Sequence, residues 1–338
     1  MNHLWESMGV EVAYITHEAC LQHLAGSGHP ERPDRLRAFA AGVKASGVEV
    51  KSIVAVPAER KWIEAVHDPI YLDSLQAFSE AGGGIIDSDT WVDSSTWAAA
   101  LAAAGGGATA IAEGADVSLI GVRPPGHHAL KGRAMGFCYL NNVAITAAQL
   151  RHQGSKVAII DWDVHHGNGT QEMVGADPGT LYVSLHQAPF YPLTGRIEET
   201  GAGGTVINLP LPAETGGDVY RGAFERIVMP ALAQFEPDVL LVSSGFDAHV
   251  ADPLADMALT APDYGFMAQA LRHAAPAAPV VVFLEGGYDL EAIETSTIEL
   301  VRGLGDGYTA SATAAVSPAT AWAVLDRSAE VLSPHWRL

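Results

Sequence analysis

The chain has few charged side chains, few thiols and no long apolar segment, and each shortage excludes a class of protein. Charged residues are only 17% of the 338 residues and hydrophobic residues 48%, so a large core is expected and disorder is not. The two cysteines, Cys20 and Cys138, form no Cys-x-x-Cys pair, which argues against a disulfide framework or a thiolate zinc site. No stretch reaches the length of a membrane span, and residues 1–9 lack the apolar core of a signal peptide. We therefore expect a cytoplasmic protein without a membrane partner.

Basic residues are also scarce. The chain has 19 Lys and Arg residues against 39 Asp and Glu residues, which gives a formal net charge of −20. Such a negative charge repels a phosphate backbone, so nucleic acid is not an expected partner. The same charge would attract amines, polyamines or Lys-rich peptides. The alternative is that the acidic surface only confers solubility.

Short β-rich segments alternate with longer helical patterns along the whole chain. The predicted strands are residues 10–15, 52–56, 117–122, 157–160, 181–185, 205–209, 239–243 and 280–284. The predicted helices are residues 97–112, 136–151, 219–235, 263–273 and 290–304. This alternation predicts an α/β protein, a three-layer α/β/α sandwich with a mostly parallel central sheet, in a single domain over residues 1–338.

The segment 161–167 places two carboxylates and two imidazoles directly after a predicted buried strand. Functional groups of open α/β sheets collect where such a strand ends. On an extended chain Asp161, Asp163 and His165 share one face, while Trp162 and Val164 point into the core. The pattern indicates a metal site, the alternative being a surface turn that is rich in Asp and His.

Three further segments follow predicted strands and supply other parts of a metal-assisted hydrolase. Asp247 lies at the end of segment 244–247, which follows strand 239–243, and is the natural third ligand with Asp163 and His165. The alternative is a lone carboxylate that caps a turn. An Asp-His-Asp set leaves one coordination position of zinc open for water. After strand 117–122, a proline-fixed loop carries His127 and His128, whose imidazoles suit proton transfer.

Strand 280–284 is followed by Glu285, two glycines and Tyr288. The glycines allow backbone to approach a ligand closely, and the phenol of Tyr288 would stabilise an oxyanion. An ordinary turn tyrosine is the alternative for this residue taken alone.

With these motifs the chain resembles the zinc-dependent histone deacetylase family, including its bacterial deacetylase-like and acetylpolyamine amidohydrolase members. The resemblance extends from the His-Pro-Glu-Arg-Pro-Asp-Arg segment at 29–35 to the Glu-Gly-Gly-Tyr segment at 285–288. It is closest to the class II branch, because Trp162 and the segments 136–138, 167–171 and 285–288 match that branch. The implied fold is the arginase-deacetylase sandwich.

The resemblance implies that Asp163, His165 and Asp247 bind zinc, and Asp-His-Asp also suits iron(II). It implies that Tyr288 polarises the carbonyl and that His128, which faces Asn168, is the general base and acid. His127, paired with Asp161, is implied to orient the water. A structural potassium ion is also implied, with these contacts: Asp161, Asp163, His165, Ser184 and Leu185.

Further positions match the family's acyl-lysine tunnel. Phe137 and Tyr191 match its two aromatic walls, Gly136 its floor and Arg35 the arginine of an inner acetate-release channel. Asp89 matches a rim residue that hydrogen-bonds the substrate backbone. Tyr191 departs from the more usual phenylalanine.

Leu254 falls where polyamine-selective members have a glutamate, so we predict a deacetylase of acyl-lysine peptides or proteins, with acetylated polyamines as the second substrate class. Two other classes are considered. A binuclear manganese ureohydrolase would want a carboxylate at position 249, where this chain has His249. A non-catalytic acyl-binding protein has no need of the two histidines and Tyr288. The sequence leaves a homo-oligomer open.

Overall fold

The computed structural model describes residues 9–26, 28–311 and 316–338. The expectation that residues 1–9 are not a signal peptide therefore concerns a segment of which residues 1–8 lie outside the described part. Ten strands are found: β1 Val12–Thr16, β2 Lys51–Val54, β3 Gly84–Ile85, β4 Trp91–Val92, β5 Val117–Gly121, β6 Val157–Asp161, β7 Thr180–Gln187, β8 Val206–Leu211, β9 Val239–Ser244 and β10 Val280–Leu284. Eight of them form one parallel sheet, and the short strands β3 and β4 pair as an antiparallel hairpin.

Helices flank the sheet and complete the predicted α/β sandwich. Their bounds are α1 Ala19–Gln22, α2 Pro33–Ala45, α3 Arg60–Ile63, α4 Pro69–Glu80, α5 Thr96–Glu113, α6 Asn142–His152, α7 Asn168–Val174, α8 Gly217–Ala223, α9 Met229–Phe235, α10 Ala261–Ala274, α11 Leu290–Leu304 and α12 Ala319–Leu332. Helix α11 packs against α10 and α2, whereas α5 packs against α1 and α6 and contacts β1 and β5. Every residue of β5, β6 and β10 is buried, as expected of parallel strands that are covered on both faces.

The order of the strands across the sheet is β2-β1-β5-β10-β9-β6-β7-β8. The four motifs that follow β5, β6, β9 and β10 therefore follow four adjacent strands at the centre of the sheet. Because these strands are parallel, their carboxyl ends lie at the same edge. The sheet thus brings residues that are more than a hundred positions apart to one place.

The helix predicted over residues 136–151 was wrong at its start, because α6 begins only at Asn142. Gly136 and Phe137 have φ values of +55° and +66°, a left-handed conformation that an α-helix does not contain. Asn141 then caps the helix by accepting a hydrogen bond from the amide of Ala144. Residues 136–140 form a loop instead, and this loop reaches the candidate site.

The helix predicted over residues 219–235 contains a π-helical turn at Phe224–Val228, between α8 and α9. A further helix, α12, lies near the carboxyl terminus, and its Leu325 is fully buried. Among the described residues, no helix combines the length and the apolar composition needed to cross a membrane.

Candidate active site

Three side chains converge at the carboxyl edge of the sheet. Asp163 and His165 follow β6, Asp247 follows the neighbouring strand β9, and one potential ligand atom of each lies within 4.8 Å of the others. Nδ1 of His165 lies 3.1 Å from Oδ1 of Asp163 and 3.2 Å from Oδ2 of Asp247. Both carboxylates are fully buried. These are the three residues that the sequence analysis selected as metal ligands.

The residues present fit a divalent cation. Oδ2 of Asp247 is buried and accepts no hydrogen bond within the described part of the chain, whereas its Oδ1 accepts one from the amide of Val164 at 2.9 Å. Oδ2 of Asp163 accepts a hydrogen bond from the amide of Gly286 at 2.7 Å. Two buried carboxylates side by side repel each other, and a bound cation would offset that repulsion.

The two adjacent imidazoles have different partners. Nδ1 of His127 lies 3.1 Å from Oδ2 of Asp161, and Nδ1 of His128 lies 2.8 Å from Oδ1 of Asn168. Burial lowers the pKa of His127, but the carboxylates of Asp163 and Asp161 outweigh it and raise the pKa to about 10. Burial and the charges of its neighbours lower the pKa of His128 well below its ordinary value. Of the two rings, His128 is therefore the one poised to accept a proton.

The loop that carries both histidines is held by Glu285, a residue to which the sequence analysis gave no role. One carboxylate oxygen accepts hydrogen bonds from the amides of Gly126 at 2.7 Å and His127 at 3.2 Å, and the other accepts one from Ser243 Oγ at 3.1 Å. Burial raises the pKa of Glu285 to about 7. Its position after β10, next to β5, was the one available signal.

Arg35 contacts Tyr288 and the residue before it. The guanidinium carbon of Arg35 lies 4.9 Å from the centre of the Tyr288 ring, and Nε of Arg35 donates to the carbonyl of Gly287 at 2.5 Å. Burial raises the pKa of Tyr288, so its hydroxyl keeps its proton and stays a donor at neutral pH. Arg35 is fully buried and is not among the residues that line the cavity next to Tyr288.

Arg35 belongs to a buried charge cluster with Glu31 and Arg123. Oε1 of Glu31 accepts from Arg35 at 2.9 Å, and Arg123 donates to both carboxylate oxygens, at 2.6 Å for Oε2. All three side chains are completely buried. Sequence reasoning missed the roles of Glu31 and Arg123, because nothing in their spacing shows that they meet.

A cavity of about 270 Å³ leads from the surface to the three imidazoles and the phenol of Tyr288. Its wall is formed by Asp89, Pro125, His127, His128, Gly136, Phe137, His165, Phe190, Tyr191, Leu254, Gly286 and Tyr288. The rings of Phe137 and Tyr288 lie edge to face at 5.8 Å, and Tyr191 meets His128 in the same manner at 5.2 Å. Phe190, which the sequence analysis passed over, stacks on His165 with ring centres 5.4 Å apart.

Two residues with predicted roles, Asp161 and Asn168, lie outside the cavity wall and reach it through the histidines. Asp161 also accepts a hydrogen bond from Tyr182 Oη at 3.0 Å. It pairs across the sheet with Ser184, whose neighbour Leu185 is also buried. These three residues belong to the predicted potassium site, and they lie on neighbouring strands, Asp161 at the end of β6 and the other two within β7.

Comparisons with known proteins agree with this geometry. Residues 29–304 match the model of the histone deacetylase domain family. The chain is 38% identical over 295 residues to a probable deacetylase of Archaeoglobus fulgidus, covering 82% of this chain and 81% of that protein. It is 38% identical over 300 residues to a histone deacetylase-like amidohydrolase of Pseudomonas aeruginosa, covering 84% and 79%. The crystal structure of the HDA15 HD domain matches with a TM-score of 0.89 at 33% identity, covering 96% of this chain and 97% of that one.

Proposed function

Because the chain belongs to the histone deacetylase family, we propose that it is a zinc-dependent deacetylase that hydrolyses the acetyl amide of acyl-lysine side chains. One observation carries the proposal. One cavity is lined by the imidazole of His128, the phenol of Tyr288 and His165, and His165 belongs to the three-residue cluster with Asp163 and Asp247. These are the groups that a metal-assisted amide hydrolysis needs.

Asp163, His165 and Asp247 would hold the ion, and their unpaired carboxylate oxygen supports that assignment. Lewis acidity, which polarises an acyl carbonyl and makes water more acidic, is what zinc contributes when bound, and iron(II) suits the same ligands. We also propose a structural potassium ion, contacted by Asp161, Asp163, His165, Ser184 and Leu185.

The remaining residues divide the proton chemistry. The neutral ring of His128 takes a proton from the attacking water and returns it to the leaving amine. His127, held by Asp161, orients the water and adds positive charge. Tyr288 donates its hydroxyl proton in a hydrogen bond to the developing oxyanion. The products are the free amine and acetate.

Leu254 supports acyl-lysine over acetylpolyamine as the substrate. Its side chain lines the cavity, where an apolar group cannot pair with the second ammonium group of a polyamine. Asp89 also lines the cavity and is the acidic residue of the wall that suits a backbone hydrogen bond. Acetylpolyamine hydrolysis remains the second candidate, because the net charge of −20 attracts polyamines as well.

The test compares kcat/KM on acetyl-lysine peptides and on acetylpolyamines, each with and without a chelator. We expect a preference for the peptides and loss of activity with the chelator, and a strong preference for polyamines would overturn the substrate assignment. The variant Tyr288→Phe should lower kcat by about 100-fold or more and leave the fold intact. A rate equal to that of the wild type would contradict the role of Tyr288.

Metal stoichiometry separates this function from a binuclear ureohydrolase. Nδ1 of His249 accepts a hydrogen bond from the amide of Ala251 at 3.2 Å, and His249 is not part of the three-residue cluster. We expect close to one transition-metal ion per chain, and a value near two would favour the ureohydrolase. A single domain and a cytoplasmic location remain our proposals, and the one continuous sheet supports the former.

A further inference from the structure

Asp252 lies between the rim of the cavity and the segment that carries Tyr288. It belongs to the loop after β9, five residues beyond Asp247, and is 6% exposed. Its Oδ2 accepts hydrogen bonds from the amides of Tyr288 at 2.6 Å and Asp289 at 3.3 Å. Its Oδ1 accepts one from the amide of Leu254 at 3.0 Å. The side chain of Asp252 thus fixes the backbone of two residues that line the cavity, Leu254 and Tyr288.

The segment before Tyr288 needs such an anchor. Gly287 has a φ of +109°, and two consecutive glycines leave this turn with a wide choice of backbone conformations. Arg35 fixes the carbonyl of Gly287 from one side, and Asp252 fixes the amide of Tyr288 from the other. Hydrogen bonds to a carboxylate are stronger than those to a neutral acceptor, and no water is needed to satisfy these buried amides.

We propose that Asp252 is a positioning residue that holds the Tyr288 hydroxyl over the reacting carbonyl and ties it to the rim at Leu254. The inference rests on the proposed function for the chemistry that it serves. Asp252 itself is neither in the cavity wall nor in the cluster of proposed metal ligands. It acts through the backbone of Tyr288, whose ring then points into the cavity.

A purely structural role is the competing explanation, because Asp252 also binds the amide of Asp289 just before α11. Asp289 caps that helix by itself, with its carboxylate accepting from the amide of Ala292 at 2.8 Å. If Asp252 served only helix α11, its removal would lower stability and leave turnover per folded molecule unchanged. The two explanations therefore differ in kcat.

The kinetic test uses Asp252→Ala, Tyr288→Phe and the double variant. A displacement of about 1 Å at a catalytic group can reduce the rate by about 100-fold, and we expect a loss of that order in kcat for Asp252→Ala, with KM changed less than about threefold. In the Tyr288→Phe background the same change should lower kcat by less than about threefold, since the hydroxyl is already absent. Equal losses in both backgrounds, or a rise in KM with kcat unchanged, would overturn the proposal.

Asp256→Asn is the matched control. Asp256 lies four residues further along the same loop, is exposed, and its carboxylate contacts Gln187 at 3.4 Å rather than Tyr288. Its kcat should equal that of the wild type. A comparable loss of kcat in this control would assign the effect to the loop in general and contradict the specific role of Asp252.

A structural readout keeps the inference separate from the proposed function. Crystal structures of the wild type and of Asp252→Ala should differ in the position or order of the Tyr288 ring. An unmoved, fully ordered ring would overturn the inference whatever the substrate proves to be. Conversely, wild-type protein that hydrolyses no acylated amine would refute the proposed function, while a displaced ring would still support the positioning role.

Discussion

At the scale of single residues, the contrast between Asp161 and Asn168 sets the chemistry of the paired imidazoles. A carboxylate faces Nδ1 of His127 and a neutral amide faces Nδ1 of His128, at 3.1 and 2.8 Å. The charges of Asp163 and Asp161 stabilise a positive ring on His127, whereas burial and the neighbouring histidines disfavour one on His128, so the pKa values of the two adjacent histidines are driven apart. One ring can then serve as a fixed positive charge while the other exchanges a proton.

The first prediction concerns Asn168, the partner of His128. Asn168→Asp should raise the pKa of His128, because a carboxylate at the same place favours the protonated ring. With the neutral ring of His128 as the proposed base, the acid limb of the pH profile of kcat/KM should move to higher pH, by about one unit or more. Asn168→Ala removes the hydrogen bond without adding charge and should not move the limb upward. An unmoved limb in Asn168→Asp would mean that another group is the base.

The second prediction concerns Glu31. Burial raises the pKa of this carboxyl, but Arg123 and Arg35 outweigh it and lower the pKa to about 2 from 4.5. The folded protein thus gains stability that is complete above about pH 4.5 and is lost as the pH falls towards 2. Glu31→Gln leaves two buried guanidinium groups uncompensated, so we expect a loss of about 3–5 kcal/mol in the free energy of unfolding.

Urea unfolding between pH 3 and 7 measures this effect. The wild type should lose stability towards pH 3 more steeply than Glu31→Gln, which lacks the titrating group. Glu49→Gln, at an exposed position, is the control and should change stability by less than about 0.5 kcal/mol. Equal stability of wild type and Glu31→Gln at pH 7 would contradict the predicted role of the buried charge cluster.

At the scale of elements, the close packing of α5 against α6 depends on glycine. A Cβ atom built on Gly107 would lie 1.8 Å from Oγ1 of Thr146, a contact that requires the helices to move. Thr146 itself is fully buried. Helix α5 therefore approaches α6 as closely as it does because position 107 has no side chain.

The third prediction follows from that contact. Gly107→Ala should destabilise the protein by about 1–3 kcal/mol through overpacking, although alanine favours the helix by up to about 1 kcal/mol. Gly132→Ala is the control, because a Cβ there meets no atom within 4 Å and the residue has no positive φ. Denaturant midpoints of both variants give the comparison, and a stabilised Gly107→Ala would show that the two helices separate easily.

The sequence predicted these elements unevenly, for physical reasons. Apolar strands such as the one predicted over residues 157–160, observed as Val157–Asp161, were confirmed because burial on both faces leaves a continuous hydrophobic signature. The start of α6 was not found, since the left-handed backbone at Gly136 and Phe137 depends on the contacts of the cavity. The roles of Glu31 and Glu285 depend on long-range contacts, about which local sequence patterns carry little information.

At the scale of the whole molecule, the proposed metal site couples distant parts of the chain. Asp163 and Asp247 are 84 positions apart in the sequence and follow neighbouring strands, β6 and β9. Without an ion, two buried carboxylates repel each other, and burial raises the pKa of Asp247. An ion that binds only the folded state therefore stabilises the molecule as a whole.

The fourth prediction is that zinc raises the melting temperature of metal-free protein. At about 100 times its Kd a ligand adds about 2.7 kcal/mol, which corresponds to a rise of about 5 °C in a protein of this size. Asp247→Asn should shrink the rise because one ligand is lost, and the exposed control Asp256→Asn should retain it. An equal rise in the wild type and in Asp247→Asn would place the zinc elsewhere.

The order of strands in the sheet also bears on how the active centre comes into being during synthesis. In the described part of the chain, β9 and β10 are the last strands, yet they lie at the middle of the sheet, between β5 and β6. A nascent chain that has emerged only as far as β8 lacks both Asp247 and Tyr288, and its two groups of strands, β2-β1-β5 and β6-β7-β8, do not pair with each other. The proposed active site can therefore be complete only after the segment that carries β9 and β10 has inserted between strands that were made earlier.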